Sequence, residues 1–311
     1  MNAPARLGLY AGALALVFGA SFGVAALVAP DAPSSAASGS ASVDGSNAGH
    51  DDSHGGEAED GGAAEGGAAE GGAAAQSAGA VTGVTASDRG YTLTDIQAPT
   101  AAGEAGALSF VIIGPGGEPV TDYDVAHEKE LHLIAVRTDG AEFRHEHPTL
   151  GADGRWTIPW TWDAAGGYRL YADTTPSALG DGLVLTGSVL VEGAVAASAL
   201  PDGGLTADAG PYEVTMTGDL TAESASTLSF AVTRDGEPVE LEPYLGADGH
   251  LVALREGDLA YLHVHPEHVD GHEPGTVSFE AEVPSAGAYL LYLDVQIDGE
   301  VHTAAFRVEA S

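Results

Sequence analysis

The chain has 311 residues, with 46 aspartates and glutamates against nine arginines and one lysine, for a formal net charge of −36. A surface this acidic repels nucleic acid and the anionic face of a membrane, which excludes both as surface partners. There is no cysteine, and the methionines are Met1 and Met216. This excludes disulfides, thiolate zinc sites, iron–sulfur clusters, blue copper and a thioether carrier of Cu(I), leaving imidazole and carboxylate as the available metal ligands.

After a short end at residues 1–6, expected to be cytoplasmic, residues 7–29 read LGLYAGALALVFGASFGVAALVA without a charge, just behind Arg6. About 20 apolar residues span a bilayer, so this is an expected single-pass anchor, with Arg6 inside and the rest of the chain outside. Val24-Ala25-Ala26 offers a small-residue cleavage site, and the alternative is a signal segment that releases a secreted protein. Residues 30–80 are Gly, Ala, Ser and scattered acids, including AEGGAAEGGAAA. That composition buries too little apolar surface to fold and predicts a disordered, self-repelling tether. His50 and His54 in this tether form at most a weak cation-collecting patch.

The chain then repeats itself, at residues 81–195 and 203–311. A Tyr-led strand at Tyr91 matches one at Tyr212. LSFVIIGPGGEPV (108–120) matches LSFAVTRDGEPV (228–239), and GGYRLYAD (166–173) matches GAYLLYLD (287–294). HLIAVRTDGAEFRHEHP (132–148) aligns with HLVALREGDLAYLHVHP (250–266) without a gap, sharing seven of seventeen positions. Each copy consists of short alternating or apolar runs divided by Gly-Glu-Pro, Asp-Gly and Ala-Gly turns, with no sustained 3.6-residue period. The expected fold is all-β: two tandem antiparallel sandwiches, immunoglobulin-like or cupredoxin-like, following the membrane helix and the linker. Leu108, Phe110 and Ile112 are expected to form the core of one copy, and Leu228, Phe230 and Val232 that of the other.

Both HL…HP segments read as hairpins. With Asp139-Gly140 and Gly257-Asp258 as two-residue loops, Thr138 faces Ala141, Ile134 faces His145 and His132 faces His147. In the second copy Leu254 faces Tyr261, Val252 faces His263 and His250 faces His265. Paired residues project to one face, and the two-residue period of a strand brings His145 beside His147 and His263 beside His265. The prediction is therefore a three-histidine cluster per copy: His132, His145 and His147, and His250, His263 and His265. Asp173 and Asp294, ending the matched YRLYAD and YLLYLD strands, are candidate fourth or supporting groups, and His302 is a weaker candidate. His127, His268 and His272 have no counterpart in the other copy. A structural reading remains open, with histidines bonded to backbone or carboxylates and His-Pro merely ending a strand.

Imidazole suits zinc, copper and nickel, and the general affinity order favours Cu(II), so Cu(II) or Zn(II) is the expected ion. GHLVALREGDLAYLHVHP and GAYLLYLD, behind an apolar span and a Gly/Ala-rich tether, resemble a group of actinobacterial membrane-anchored or secreted proteins described as heavy-metal-binding-domain proteins. The resemblance covers residues 91–309 and the anchor. It implies extracytoplasmic handling of copper or another heavy metal on a β-sandwich scaffold. The expected function is metal buffering, capture or delivery, with a metal transporter or another extracytoplasmic protein as partner and the membrane reached only through the N-terminal helix. The alternative is a tethered interaction or structural module without a metal requirement. An enzyme is not expected: no general base accompanies the histidines, and for a cupin-type site Glu267 is too close to the HxH and Glu273 too far.

Overall fold

The computed structural model describes residues 81–262, 264–267 and 273–311, with only the backbone of His265. The expected anchor at residues 7–29 and the tether at 30–80 lie outside the described residues, as do His50, His54, His263, His268 and His272. Among the described residues no helix is long and apolar enough to cross a membrane, and every regular element is a strand.

The first repeat contains β1 (Ser87–Asp88), β2 (Tyr91–Gln97), β3 (Gly106–Ile113), β4 (Tyr123–Asp124), β5 (Leu131–Arg137), β6 (Arg144–Glu146), β7 (Thr149–Leu150), β8 (Arg155–Trp160), β9 (Gly166–Pro176) and β10 (Leu183–Val191). The second contains β11 (Thr206–Ala209), β12 (Tyr212–Thr217), β13 (Ala225–Arg234), β14 (Glu237–Pro238), β15 (His250–Arg255), β16 (Tyr261–Leu262), β17 (Val264–Pro266), β18 (Thr276–Glu282), β19 (Gly287–Ile297) and β20 (Glu300–Ala310). One sheet of the first repeat runs β1-β2-β3-β8-β7 and the other β10-β9-β5-β6. The second repeat follows the same plan, with β11-β12-β13-β18-β17 and β16-β15-β19-β20. Lettered from β2 and from β12, these are A-B-E-D facing G-F-C with a short added C′, the immunoglobulin-like arrangement. The protein is thus two tandem antiparallel β-sandwiches of immunoglobulin-like order, held without a disulfide.

Strand alternation explains the cores. In β13, Leu228, Phe230 and Val232 point inward between partly exposed neighbours, joining Phe279, Leu291 and Phe306 in the second core. Leu108, Phe110 and Ile112 of β3 join Trp156, Leu133 and Leu170 in the first, although Ser109 and Val111 between them are also buried. Each such side chain contributes about 1.5–3 kcal/mol by leaving water.

β5 departs from that alternation, for all seven of its residues are buried. Leu131, Leu133 and Ala135 face the core of their own repeat. Ile134 and Val136 face the other way, into a third apolar cluster with Val252, Leu254 and Leu290 of the second repeat. The two G-F-C sheets therefore pack on one another, and this seam joins the repeats. Its polar contacts are reciprocal: the Tyr171 hydroxyl donates to Leu259 O at 2.6 Å, and the Tyr292 hydroxyl to Gly140 O at 2.5 Å. Phe143 stacks on Tyr292 with ring centroids 4.1 Å apart, matched by Tyr171 against Tyr261 at 5.5 Å. Ahead of β1, Thr82 forms a bridge with Tyr261.

Gly140 shows how close this approach is. It adopts a left-handed φ of 83°, and a Cβ there would stand 2.5 Å from Leu290 Cδ1 and 2.9 Å from Leu200 Cδ2. Gly140→Ala combines a left-handed penalty with overpacking of the seam, and is expected to lower stability by about 1–3 kcal/mol, read from the urea midpoint.

Candidate metal centre

The histidines are positioned by the β5–β6 hairpin. Its register pairs Ile134 with His145 and Leu133 with Glu146, so His132, Ile134 and His145 share the seam face, as expected. The turn differs from the expected two-residue loop. Gly140 N–H donates to Arg137 O and Arg137 N–H to Ala141 O, making Thr138-Asp139-Gly140 the loop and placing Arg137, not Thr138, opposite Ala141. Glu142, with φ 54°, is an extra bulged residue that restores the register one step later. Arg137, only 2% exposed, clamps the loop through two bonds to the Asp139 carboxylate, at 2.8 and 2.7 Å.

His132 Nδ1 lies 3.1 Å from His145 Nε2 and 3.2 Å from His147 Nε2. These three residues form a group whose ligand atoms all lie within 4.8 Å of one another. Two nitrogens bound tetrahedrally to one zinc at 2.0–2.1 Å are about 3.3 Å apart, close to both separations.

The opposite ring atoms decide what faces inward. His132 Nε2 lies 3.1 Å from Ala126 O; a carbonyl only accepts, so Nε2 carries the hydrogen and the Nδ1 of the neutral ring presents its lone pair. Ala126 is held in a tight turn closed by mutual bonds with Lys129, whose central residues His127 and Glu128 have φ of 48° and 62°. Two left-handed non-glycine residues in succession cost about 1–2 kcal/mol each. His145 Nδ1 lies 2.9 Å from Asp294 Oδ2. That carboxylate accepts from the ring, and its Oδ1 accepts from the Thr303 hydroxyl at 2.6 Å. His145 Nε2 therefore also presents a lone pair. Two lone pairs at 3.1 Å repel unless a cation or a proton lies between them.

Protonation of His132 and His147 is disfavoured. Burial, reinforced by neighbouring His145, pushes His132 down to about 4 from 6.5. Burial, then His145 and His132, pushes His147 down to about 3. With folded-state values below the unfolded 6.5, the unfolded chain binds more protons once the pH falls below that value. The stability these rings contribute is full above about pH 6.5 and declines toward pH 4, at up to about 1.4 kcal/mol per pH unit for each ring titrating in the unfolded chain. Urea unfolding of the metal-free protein at successive pH values should show this decline.

The second repeat contributes differently from expectation. His250 opens β15, and its ring lies parallel to that of His132, centroids 5.3 Å apart and planes at 8°, and 4.8 Å from that of His145. His127 joins this group, 5.6 Å from His250. Leu254 pairs with Tyr261 as predicted, although the loop there has four residues, with Arg255 N–H bonded to Ala260 O. Past Leu262 the chain changes sheets: Val264–Pro266 pairs with β18, setting His265 opposite Glu280. The expected pairing of His250 with His265 is thus not made, and His250 sits across from Asp294 of β19. The crossing satisfies the free edge of β18, as Thr149–Leu150 does on β8 in the first repeat. His263 and the His265 side chain lie outside the described residues.

The two aspartates face the seam with unlike roles. Asp294, 2% exposed, supports His145 of the other repeat. Asp173 accepts from the Tyr261 hydroxyl at 3.0 Å, again across the seam. His302 is not brought to the cluster, for its ring packs edge-on against Tyr212 at 4.9 Å. Neither the crossing of Asp294 to His145 nor the placing of His127 was anticipated from the chain. One signal did exist: HLIAV and HLVAL are apolar on both faces, as expected of strands covered on both sides.

Fold and site together define a tandem immunoglobulin-like protein with a buried histidine cluster at the seam between its repeats. The chain belongs to the family described as domain of unknown function DUF8832, which it matches at residues 85–191 and 206–311, one match per sandwich. No curated protein matches it significantly. Among solved structures it is similar to a DUF4426 family protein from Pseudomonas aeruginosa (13% identity, 33% of this chain and 94% of that one, TM-score 0.28). It is also similar to InvD from Yersinia pseudotuberculosis (13%, 68% and 55%, TM-score 0.22). A third is invasin, a bacterial integrin-binding protein (14%, 71% and 39%, TM-score 0.22).

Proposed function

We propose that this protein is a non-enzymatic, extracytoplasmic binder of a divalent transition-metal ion, Cu(II) or Zn(II), which it buffers, captures or delivers. One ion per chain is held by His132 Nδ1, His145 Nε2 and His147 Nε2, with the apolar segment 7–29 as the membrane anchor and a transporter or other extracytoplasmic protein as the exchange partner. The observation that carries the reading is the convergence of imidazole lone pairs in a buried pocket. His132 and His145 each spend their N–H on a fixed acceptor behind them, leaving inward nitrogens 3.1 Å apart that a shared metal ion would bring together without repulsion. This is the arrangement in which metal-bound histidines are held by carbonyls and carboxylates behind them. Imidazole without thiolate selects against Cu(I), and the affinity order places Cu(II) above Zn(II).

The test is calorimetric titration of chelator-stripped full-length protein with Zn(II) and Cu(II), beside a His302→Ala control. One saturable equivalent in both proteins, with Cu(II) the tighter, is the expected result. Weak, unsaturable uptake alone is what an acidic surface gives. It would leave the two sandwiches as a tethered interaction module.

A further inference from the structure

The second repeat packs against a histidine cluster whose three converging members, His132, His145 and His147, all come from the first. Asp294 crosses the seam to His145 and is itself held by Thr303. His250 lies flat against His132. Around them the two G-F-C sheets are joined by an apolar cluster and by the reciprocal tyrosine bonds to Leu259 and Gly140.

We propose that ion binding and docking of the two repeats are one linked equilibrium, with Asp294 as the positioning residue through which the second repeat sets the metal affinity of the first. The inference rests on the metal reading above. Undocking would leave the ligand count unchanged, since His132, His145 and His147 belong to one hairpin. It would remove the carboxylate from His145 Nδ1, freeing that ring to rotate and to place its hydrogen on either nitrogen. Docked, the ring is held in one orientation with Nε2 bare by the carboxylate behind it. Partners of this kind are typically worth about 10–100-fold in metal affinity. Linkage is reciprocal: if docking tightens ion binding by some factor, the ion tightens docking by the same factor. The ion would thus clamp the repeats, and loosening the seam would release it.

The experiment uses the full-length protein and Zn(II) or Cu(II) alone. Asp294→Asn is expected to bind Zn(II) about 10–100-fold more weakly than wild type. In its Cu(II) form, the electron spin-echo modulation from the remote imidazole nitrogen should change, a readout insensitive to general stability. Phe143→Ala, which leaves every proposed ligand in the sequence and removes the stack on Tyr292, should also weaken Zn(II) binding. Zn(II) should slow hydrogen exchange in β15 and β16 of wild type, and less so in both variants. If Asp294→Asn does not fold, Thr303→Val, which removes one bond to the carboxylate, is expected to change the same readouts in the same direction. Wild-type affinity and an unchanged remote-nitrogen signal in the Asp294 and Phe143 variants, with Zn(II) still bound at the histidines, would overturn the linkage while leaving the metal site standing. Absence of ion binding by wild type would instead remove the metal reading, and the linkage with it.

Discussion

His145→Ala is expected to abolish tight Zn(II) and Cu(II) binding and to destabilise the metal-free protein as well. His145 is engaged at both ends, Nε2 toward His132 and Nδ1 on Asp294. Its loss removes one of the three converging nitrogens and leaves only His132 and His147 of the trio, too few to hold the ion as tightly. It also leaves Asp294, 2% exposed, with the Thr303 hydroxyl but no ring donor. A buried carboxylate stripped of a charge-assisted partner costs about 3 kcal/mol. Competition with a chromophoric chelator reads the first effect and urea unfolding of the metal-free protein the second. An Ala variant with wild-type affinity would place the ion elsewhere.

Tyr292→Ala is expected to be the most damaging change at the seam. Tyr292 is 3% exposed, stacks on Phe143 at 4.1 Å and donates to Gly140 O. Removing a buried aromatic ring costs about 3–5 kcal/mol, and the carbonyl it served is left without that donor. Because each repeat has its own apolar core, the loss falls on docking rather than on either sandwich. A single urea transition in wild type should split into two. Tyr292→Phe, which keeps the ring and loses only the hydroxyl, should cost about 1 kcal/mol and remain single. Equal losses in the two variants would mean that the stack contributes nothing to docking.

Much of this arrangement was legible in the chain. Alternation in LSFVII and LSFAV named the residues that now fill the two cores. The internal repeat announced two like sandwiches. The register pairing Ile134 with His145 followed from counting outward from Asp139-Gly140, even though the loop has three residues, because the Glu142 bulge makes up the difference. Sequence counting was right about the face and wrong about the turn, since a bulge changes loop length without changing which side chains share a side.

The strands, the repeat and the common face of His132, Ile134 and His145 were determined by the sequence alone, because a two-residue period is a local property of the chain. What covers that face was decided by tertiary structure. Periodicity states which side chains point together but not what they point at, so two separate clusters and one cluster at a shared seam are written alike. The crossing of Val264–Pro266 to the edge of β18 was decided there too, as was the meeting of Asp294 with His145, 149 residues apart in the chain. Those contacts exist because two sheets, each apolar on both faces, leave least surface in water by packing against one another.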